Sequence, residues 1–207
     1  MNKWISLTAR DISSLVIDGL CDQARTYDID IAVVGLYYDY LAREEQSTAN
    51  MLGAILKQLL ERDGIPAHVR QAFRRAKRGL GGRVVRLLDL VEMLKATIAS
   101  LPKVFICIDG LDECLPDNRR ELLESLQDIV RASQAARVFL SGRPHIRDEV
   151  KRYFTGAIMI RVIPTVRDIE IYLEMKLGKD TIPSAMDDNL RAEIMWALPR
   201  KISQMCV

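Results

Sequence analysis

The sequence predicts a doubly wound α/β fold: a mainly parallel sheet with helices on both faces, leading into a helical C-terminal part. Three observations carry this. Four short β-rich runs alternate with stretches of helical periodicity, the pattern of strand-helix-strand units with right-handed crossovers. The second and third runs are almost unbroken in apolar residues, which marks strands covered on both faces. The chain has 207 residues, 49% hydrophobic and 28% charged. That is enough to bury one large core, and it excludes wholesale disorder.

The elements follow in order. Ile31 to Tyr38 is the first strand run. Met51, Leu52, Ile55, Leu56, Leu59 and Leu60 then form a helical stripe with Ser47 placed to cap it. A second stripe joins Val84, Leu87, Leu88, Val91, Leu94 and Ile98. Lys103 to Asp109 is the second strand run, and Asn118 with Glu121 resembles a capping box opening the helix of Leu122, Leu126 and Ile129. Arg137 to Ser141 and Ala157 to Ile163 are the third and fourth strand runs. After Pro164 two helical patterns follow, Val166 to Leu177 and Asp187 to about Leu198, separated by a loop with Gly178 and Pro183. The expected organisation is a core domain over residues 1–163 and the beginning of a helical lid over 164–207, cut short.

Composition narrows the class further. The longest apolar runs, such as Val104 to Ile108, fall far below the 18 or so residues of a membrane span. Lys3 and Arg10 flank only a short mixed stretch without the apolar centre of a signal peptide. A net charge of +2 selects no partner. Four cysteines form no CxxC pair and only two histidines are present, so no zinc site is expected. A reduced, cytoplasmic protein is the expectation. From Gly64 to Leu88 there is no acid, and Arg70, Arg74, Arg75, Lys77, Arg78, Arg83 and Arg86 follow one another. With only Phe73 to stack on a base, this reads as a solvated face or a docking surface rather than a nucleic-acid footprint. Gly79-Leu-Gly-Gly82 lacks a preceding buried strand and a following Lys-Ser/Thr, so it is not read as a phosphate loop.

The chemistry concentrates where the second strand run ends in Asp109-Gly-Leu-Asp-Glu113. Ligands of open α/β sheets sit outside the carboxyl ends of the strands. An acid there, Asp109, can hold Mg²⁺ through oxygen. A second acid, Asp112 or Glu113, can orient an attacking water in phosphoryl transfer. Gly110 keeps the turn open to a close approach. The neighbouring run delivers Ser141-Gly-Arg-Pro144, a hydroxyl and a guanidinium at the same edge, and Arg143 can contact a terminal phosphate bidentately.

Together these strings resemble the NACHT domains of STAND-class P-loop NTPases, particularly those of fungal incompatibility-type proteins and the nephrocystin-like N-terminal region. Asp109 to Glu113 match the family's Walker B string. Ser141, Arg143 and Pro144 match its Ser-(Ser/Thr)-Arg-Pro sensor, with Gly142 departing from the hydroxyl. Leu36 to Tyr40, Gln46-Ser47 and Gln58 to Leu60 look like its second strand and helix. The resemblance spans residues 15 to 200. It implies a P-loop NTPase-type three-layer α/β/α sandwich that binds Mg²⁺ and ATP or GTP. Protein partners are implied too, either effector and repeat domains or full-length paralogues.

One part of the pattern is absent. The Walker A loop should precede the first helix, yet Ile5 to Ile12 contains neither glycine nor lysine. Losing three backbone donors and a lysine, at about 1.5 kcal/mol each, removes about 6 kcal/mol, or about four decades of affinity. The expectation is a nucleotide-switch module defective in nucleotide binding. A non-enzymatic interaction module, or a Mg²⁺-dependent nuclease built on Asp109, Asp112 and Glu113, is the alternative.

Overall fold

The computed structural model describes residues 9–27, 30–78, 85–162, 165–178 and 187–205. The chain divides into two compact units, the first Ala9–Ala157, the second including Ile158–Val207. The first unit is mixed α/β. Helix α1 (Ala9–Thr26) leads into strand β1 (Ala32–Tyr37), and helices α2 (Thr48–Asp63), α3 (Ala67–Arg78) and α4 (Leu87–Ala99) follow. Strand β2 (Val104–Asp109), helix α5 (Pro116–Ala132), strand β3 (Ala136–Leu140) and the short helix α6 (Arg147–Tyr153) complete it.

The strands form one parallel sheet in the order β1-β2-β3. Ala32 lies opposite Val104 and Tyr37 opposite Asp109, while Ile108 lies opposite Leu140. All three carboxyl ends therefore open at one edge. Alternation along the strands sends Ala32, Val34, Leu36, Val104, Ile106 and Ile108 into one core. There they join Leu52, Ile55 and Leu59 of α2, Leu94 and Ile98 of α4, and Leu122, Leu126 and Ile129 of α5. The opposite face of the sheet carries α1. A side chain at Gly35 would come within 2.9 Å of Ile17 Cδ1, so the missing Cβ lets α1 lie close on β1.

The sheet edge beyond β1 is closed by side chains. The Gln58 amide accepts from Gly35 N–H at 3.0 Å and donates to the Gly35 carbonyl at 3.0 Å. Gln46 does the same for Asp39 N–H (3.1 Å) and the Tyr37 carbonyl (3.4 Å). Two glutamines thus stand in for a neighbouring strand.

Most of the expected elements appear, with corrections. Ser47 caps α2, accepting from Asn50 N–H at 3.3 Å. The capping box expected at Asn118 and Glu121 does not form. Helix α5 starts at Pro116, with Leu115 as an N-cap that makes no side-chain bond. The proline ring presets the first-turn φ and removes a donor that would otherwise need a cap. The fourth strand is also corrected. Among the described residues, 157–162 pair with no strand, and Ile158 and Ile160 stand 90% and 81% exposed. β propensity describes a good fit to a sheet, and it is not realised without a neighbouring ladder. Residue 163, like Gly79 to Gly82, lies outside the described residues.

In the second unit, α7 (Val166–Leu177) and α8 (Asp188–Met205) pack on each other, with Ile169 and Leu173 of α7 buried. A capping box opens α7: Thr165 Oγ1 accepts from Asp168 N–H at 3.1 Å, and the Asp168 carboxylate accepts from Thr165 N–H at 2.8 Å. Helix α8 runs beyond the expected Leu198 and carries Pro199 within it. Among the described residues no helix is long and apolar enough to cross a membrane.

Ile106, fully buried in the central strand, tests the core directly. Ile106→Ala should cost about 3–4 kcal/mol, read as a lowered urea midpoint at unchanged slope. The α7 cap should respond to pH. Its hydrogen bonds hold the Asp168 carboxyl below its ordinary 3.8, so the cap's contribution is present above that value and is lost as pH falls through the depressed one. The Asp168 amide resonance should move in that acid range, and Thr165→Val should abolish the movement.

Candidate functional site

The site is built by parallel register. Because β1, β2 and β3 end side by side, the residues that follow them meet at one edge. Asp109 closes β2 on the face that carries α1 and is only 2% exposed. A bare carboxylate there would be costly, and it is satisfied by two hydroxyls. Ser13 Oγ of α1 donates to Asp109 Oδ1 at 2.7 Å, and Ser141 Oγ, just past β3, donates to the same oxygen. The two hydroxyl oxygens lie 3.3 Å apart. One buried oxygen thereby ties a helix and two strands together.

Gly110 follows in the left-handed region, with φ 69° and ψ 34°. That conformation costs other residues about 1 kcal/mol or more. It points the Gly110 N–H at Ser141 Oγ (3.3 Å) and the Leu111 N–H at the Ser141 carbonyl (3.0 Å). The turn then presents its remaining acids in opposite directions. Asp112 accepts from the backbone N–H of Arg143 at 3.1 Å and faces its guanidinium at 3.4 Å. Glu113 accepts from Tyr40 N–H at 3.0 Å, in the turn after β1. The residues after β2 therefore brace the loops on either side.

All the residues read from the sequence as site residues reach this edge. Ser141 is hydrogen-bonded to both Asp109 and Gly110, and Asp112 is joined to Arg143. The guanidinium lies beside Asp112 with 76% of the Arg143 side chain exposed, whereas Asp112 is 8% exposed. Glu113 stands apart, on the side of β1.

Behind the turn, α5 and α6 are pinned together. Arg119 pairs with Glu149 at 2.9 Å and donates to the Cys114 carbonyl at 2.9 Å. Tyr38 and Cys114 are buried there, and the Tyr38 hydroxyl has no hydrogen-bond partner among the described residues. Burial raises the pKa of Tyr38 and of the Cys114 thiol. Burial also pushes Cys107, facing α1, up to about 11. Burial thus favours the protonated, weakly nucleophilic form of both thiols.

The family profile described as Nephrocystin 3, N-terminal, matches residues 11–143. The chain belongs to the nephrocystin 3 N-terminal family. Among curated proteins, none matches it. The nephrocystin 3 N-terminal match opens in the first turn of α1, before Ser13, and closes on Arg143. It therefore takes in every residue of the edge just described.

Ser13 is the residue that sequence reasoning passed over. A signal was present: positions 13, 16, 17, 20, 21 and 24 form the inward stripe of α1, occupied by Ser13, Val16, Ile17, Leu20, Cys21 and Ala24. A hydroxyl on an otherwise apolar stripe needs a polar partner on the facing sheet. Gly142 explains how closely Asp112 packs. A Cβ at this position would lie 2.7 Å from Cδ1 of the buried Ile146 and 3.3 Å from Asp112 Oδ1.

Asp112→Ala should cost about 1–3 kcal/mol, because it strips the acceptor from the Arg143 N–H at a packed loop. Arg143→Ala, which removes an exposed guanidinium, should cost 0–1 kcal/mol or so. Paired urea titrations check the ordering. In a Cys206→Ser background at pH 8, a maleimide should label the partly exposed Cys21 in the native protein, and Cys107 and Cys114 only after unfolding. Mass spectrometry of the labelled peptides reads this.

Proposed function

We propose that this chain is a NACHT-type module of the STAND class that keeps the frame of a nucleotide switch without its grip on nucleotide. It works in the cytoplasm through protein contacts, with effector or repeat domains or full-length paralogues as partners. The observation that carries this reading is that the chemistry-bearing groups of the edge are bonded to one another. Asp109 holds Ser13 and Ser141, Asp112 holds Arg143, and Glu113 holds Tyr40.

The nucleotide-switch frame is supported by the pairing of Ser13 with Asp109. In P-loop NTPases a helix-borne Ser or Thr and a strand-end Asp together hold Mg²⁺. Hydroxyl and carboxylate oxygens suit that hard cation chemically. The nucleotide itself fits poorly. Residues 1–12 contain no glycine, and Lys3 is their one lysine, so no run of flexible backbone donors is available to close around phosphates. Residues 1–8 lie outside the described residues, and this point rests on their sequence alone. Mg²⁺ would bring charge neutralisation to a bound triphosphate. Without a phosphate grip, Asp109 acts in this chain as the joint between α1, β2 and β3.

Isothermal titration with Mg·ATP and Mg·GTP tests the reading. The expected result is no heat up to millimolar nucleotide. Micromolar binding that disappears on Asp109→Ala would overturn it.

A further inference from the structure

Charge is distributed unevenly along this chain. The whole sequence carries 30 Lys and Arg against 28 Asp and Glu. Residues 64–88 hold seven of those cations and no acid, which leaves 23 against 28, a net −5, for everything else. A strongly basic segment in an otherwise acidic chain is complementary to other copies of that chain.

The two signs lie on different helices of the first unit. On α3, Val69 is buried and Ala72 packs against the core, while Arg70 and Arg74 are exposed. Arg70 donates to the Ile65 carbonyl at 3.3 Å, and among the described residues neither guanidinium is ion-paired. The sequence continues this row at Lys77 and Arg78. On α5, Leu122, Leu126 and Ile129 are buried, and Asp117, Glu121, Glu124 and Asp128 are exposed. The ends of that acidic row are engaged, Asp117 with Arg120 and Asp128 with Lys95 at 3.6 Å. Its middle is more open. Glu124 accepts from the Tyr153 hydroxyl at 3.5 Å, and the Glu121 carboxylate has no partner among the described residues.

We infer that the basic face of α3 in one copy docks on the acidic face of α5 in another. Both rows step along their helices by four residues and then three: Arg70, Arg74, Lys77 against Asp117, Glu121, Glu124, or against Asp128, Glu124, Glu121 when antiparallel. At about 1.5 Å per residue, the charges of each row fall about 6 Å and then about 4.5 Å apart. Within one chain α4 packs against both helices, and among the described residues no ion pair joins α3 to α5. The contact joins unlike surfaces, so each added copy offers another of each. Exposed pairs are individually weak and are screened by salt, so this is an association of low ionic strength. It rests on the protein-contact reading above, for which it supplies a surface and a partner. Nucleotide binding plays no part in it, so the Mg·ATP titration and the test below can fail separately.

Light scattering on the full chain at up to about 100 micromolar tests the inference. The mass should exceed that of one chain in about 20 mM NaCl and return to it by about 300 mM. Arg70→Glu with Arg74→Glu, and separately Glu121→Lys with Glu124→Lys, should each weaken association at least about 10-fold. Both variants should keep the circular dichroism melt, because all four side chains are exposed. Mixing them should restore association, since every contact between unlike copies again joins opposite charges. A wild-type chain that stays monomeric at low salt would overturn the inference, even if α3 then binds an oligonucleotide. So would association that survives either reversal, or a mixture of the two variants that stays dissociated.

Discussion

A buried carboxylate must be satisfied, and at Asp109 that requirement organises the whole sheet edge. Water cannot reach an oxygen on a residue 2% exposed, so the partners have to come from the fold. They come from α1 and from the residue after β3, two elements that are distant in sequence and otherwise share no ladder. The bonds to Ser13 and Ser141 therefore set where α1 sits along the sheet and how the loop after β3 leaves it. Packing alone would permit α1 to slide along an apolar surface; a directional hydrogen bond does not. The same economy extends to Asp112 and Glu113, each of which accepts a backbone N–H from a flanking loop. The acids that the sequence marks for chemistry also brace the loops around them.

The strands and helices show how far a chain can be read from its pattern. The apolar run ending in Asp109 is a central strand because continuous burial on both faces leaves no other place for it. The stripe from Met51 to Leu60 is a helix with its cap at Ser47 for equally local reasons. The adjacency of Asp109, Asp112, Ser141 and Arg143 was also legible, since parallel strands must end together. What escaped the pattern was non-local. The run from Ala157 has every local mark of a strand, but pairing depends on an available neighbour, and propensity carries no information about that. The start of α5 was misplaced because a proline at the first helical position competes with a capping box two residues later. Ser13 was hidden because its partner lies 96 residues away, and only knowledge of which face meets α1 exposes the match. The glutamines that seal β1 are invisible in sequence for the same reason.

The asymmetry between the two sheet edges belongs with these non-local features. Gln58 contributes both a donor and an acceptor to one residue of β1, the pairing a strand would make, from a helix already fixed by the core. Among the described residues no comparable amide serves Val138 and Leu140. Membership of the nephrocystin 3 N-terminal family places the entire edge cluster inside the matched region.

Gly142 makes the bracing hard to edit. It has no side chain, and the space beside it is filled by Ile146 and the Asp112 carboxylate. Any larger residue would crowd both neighbours at once, so enlarging this position calls for coordinated replacements rather than a single substitution.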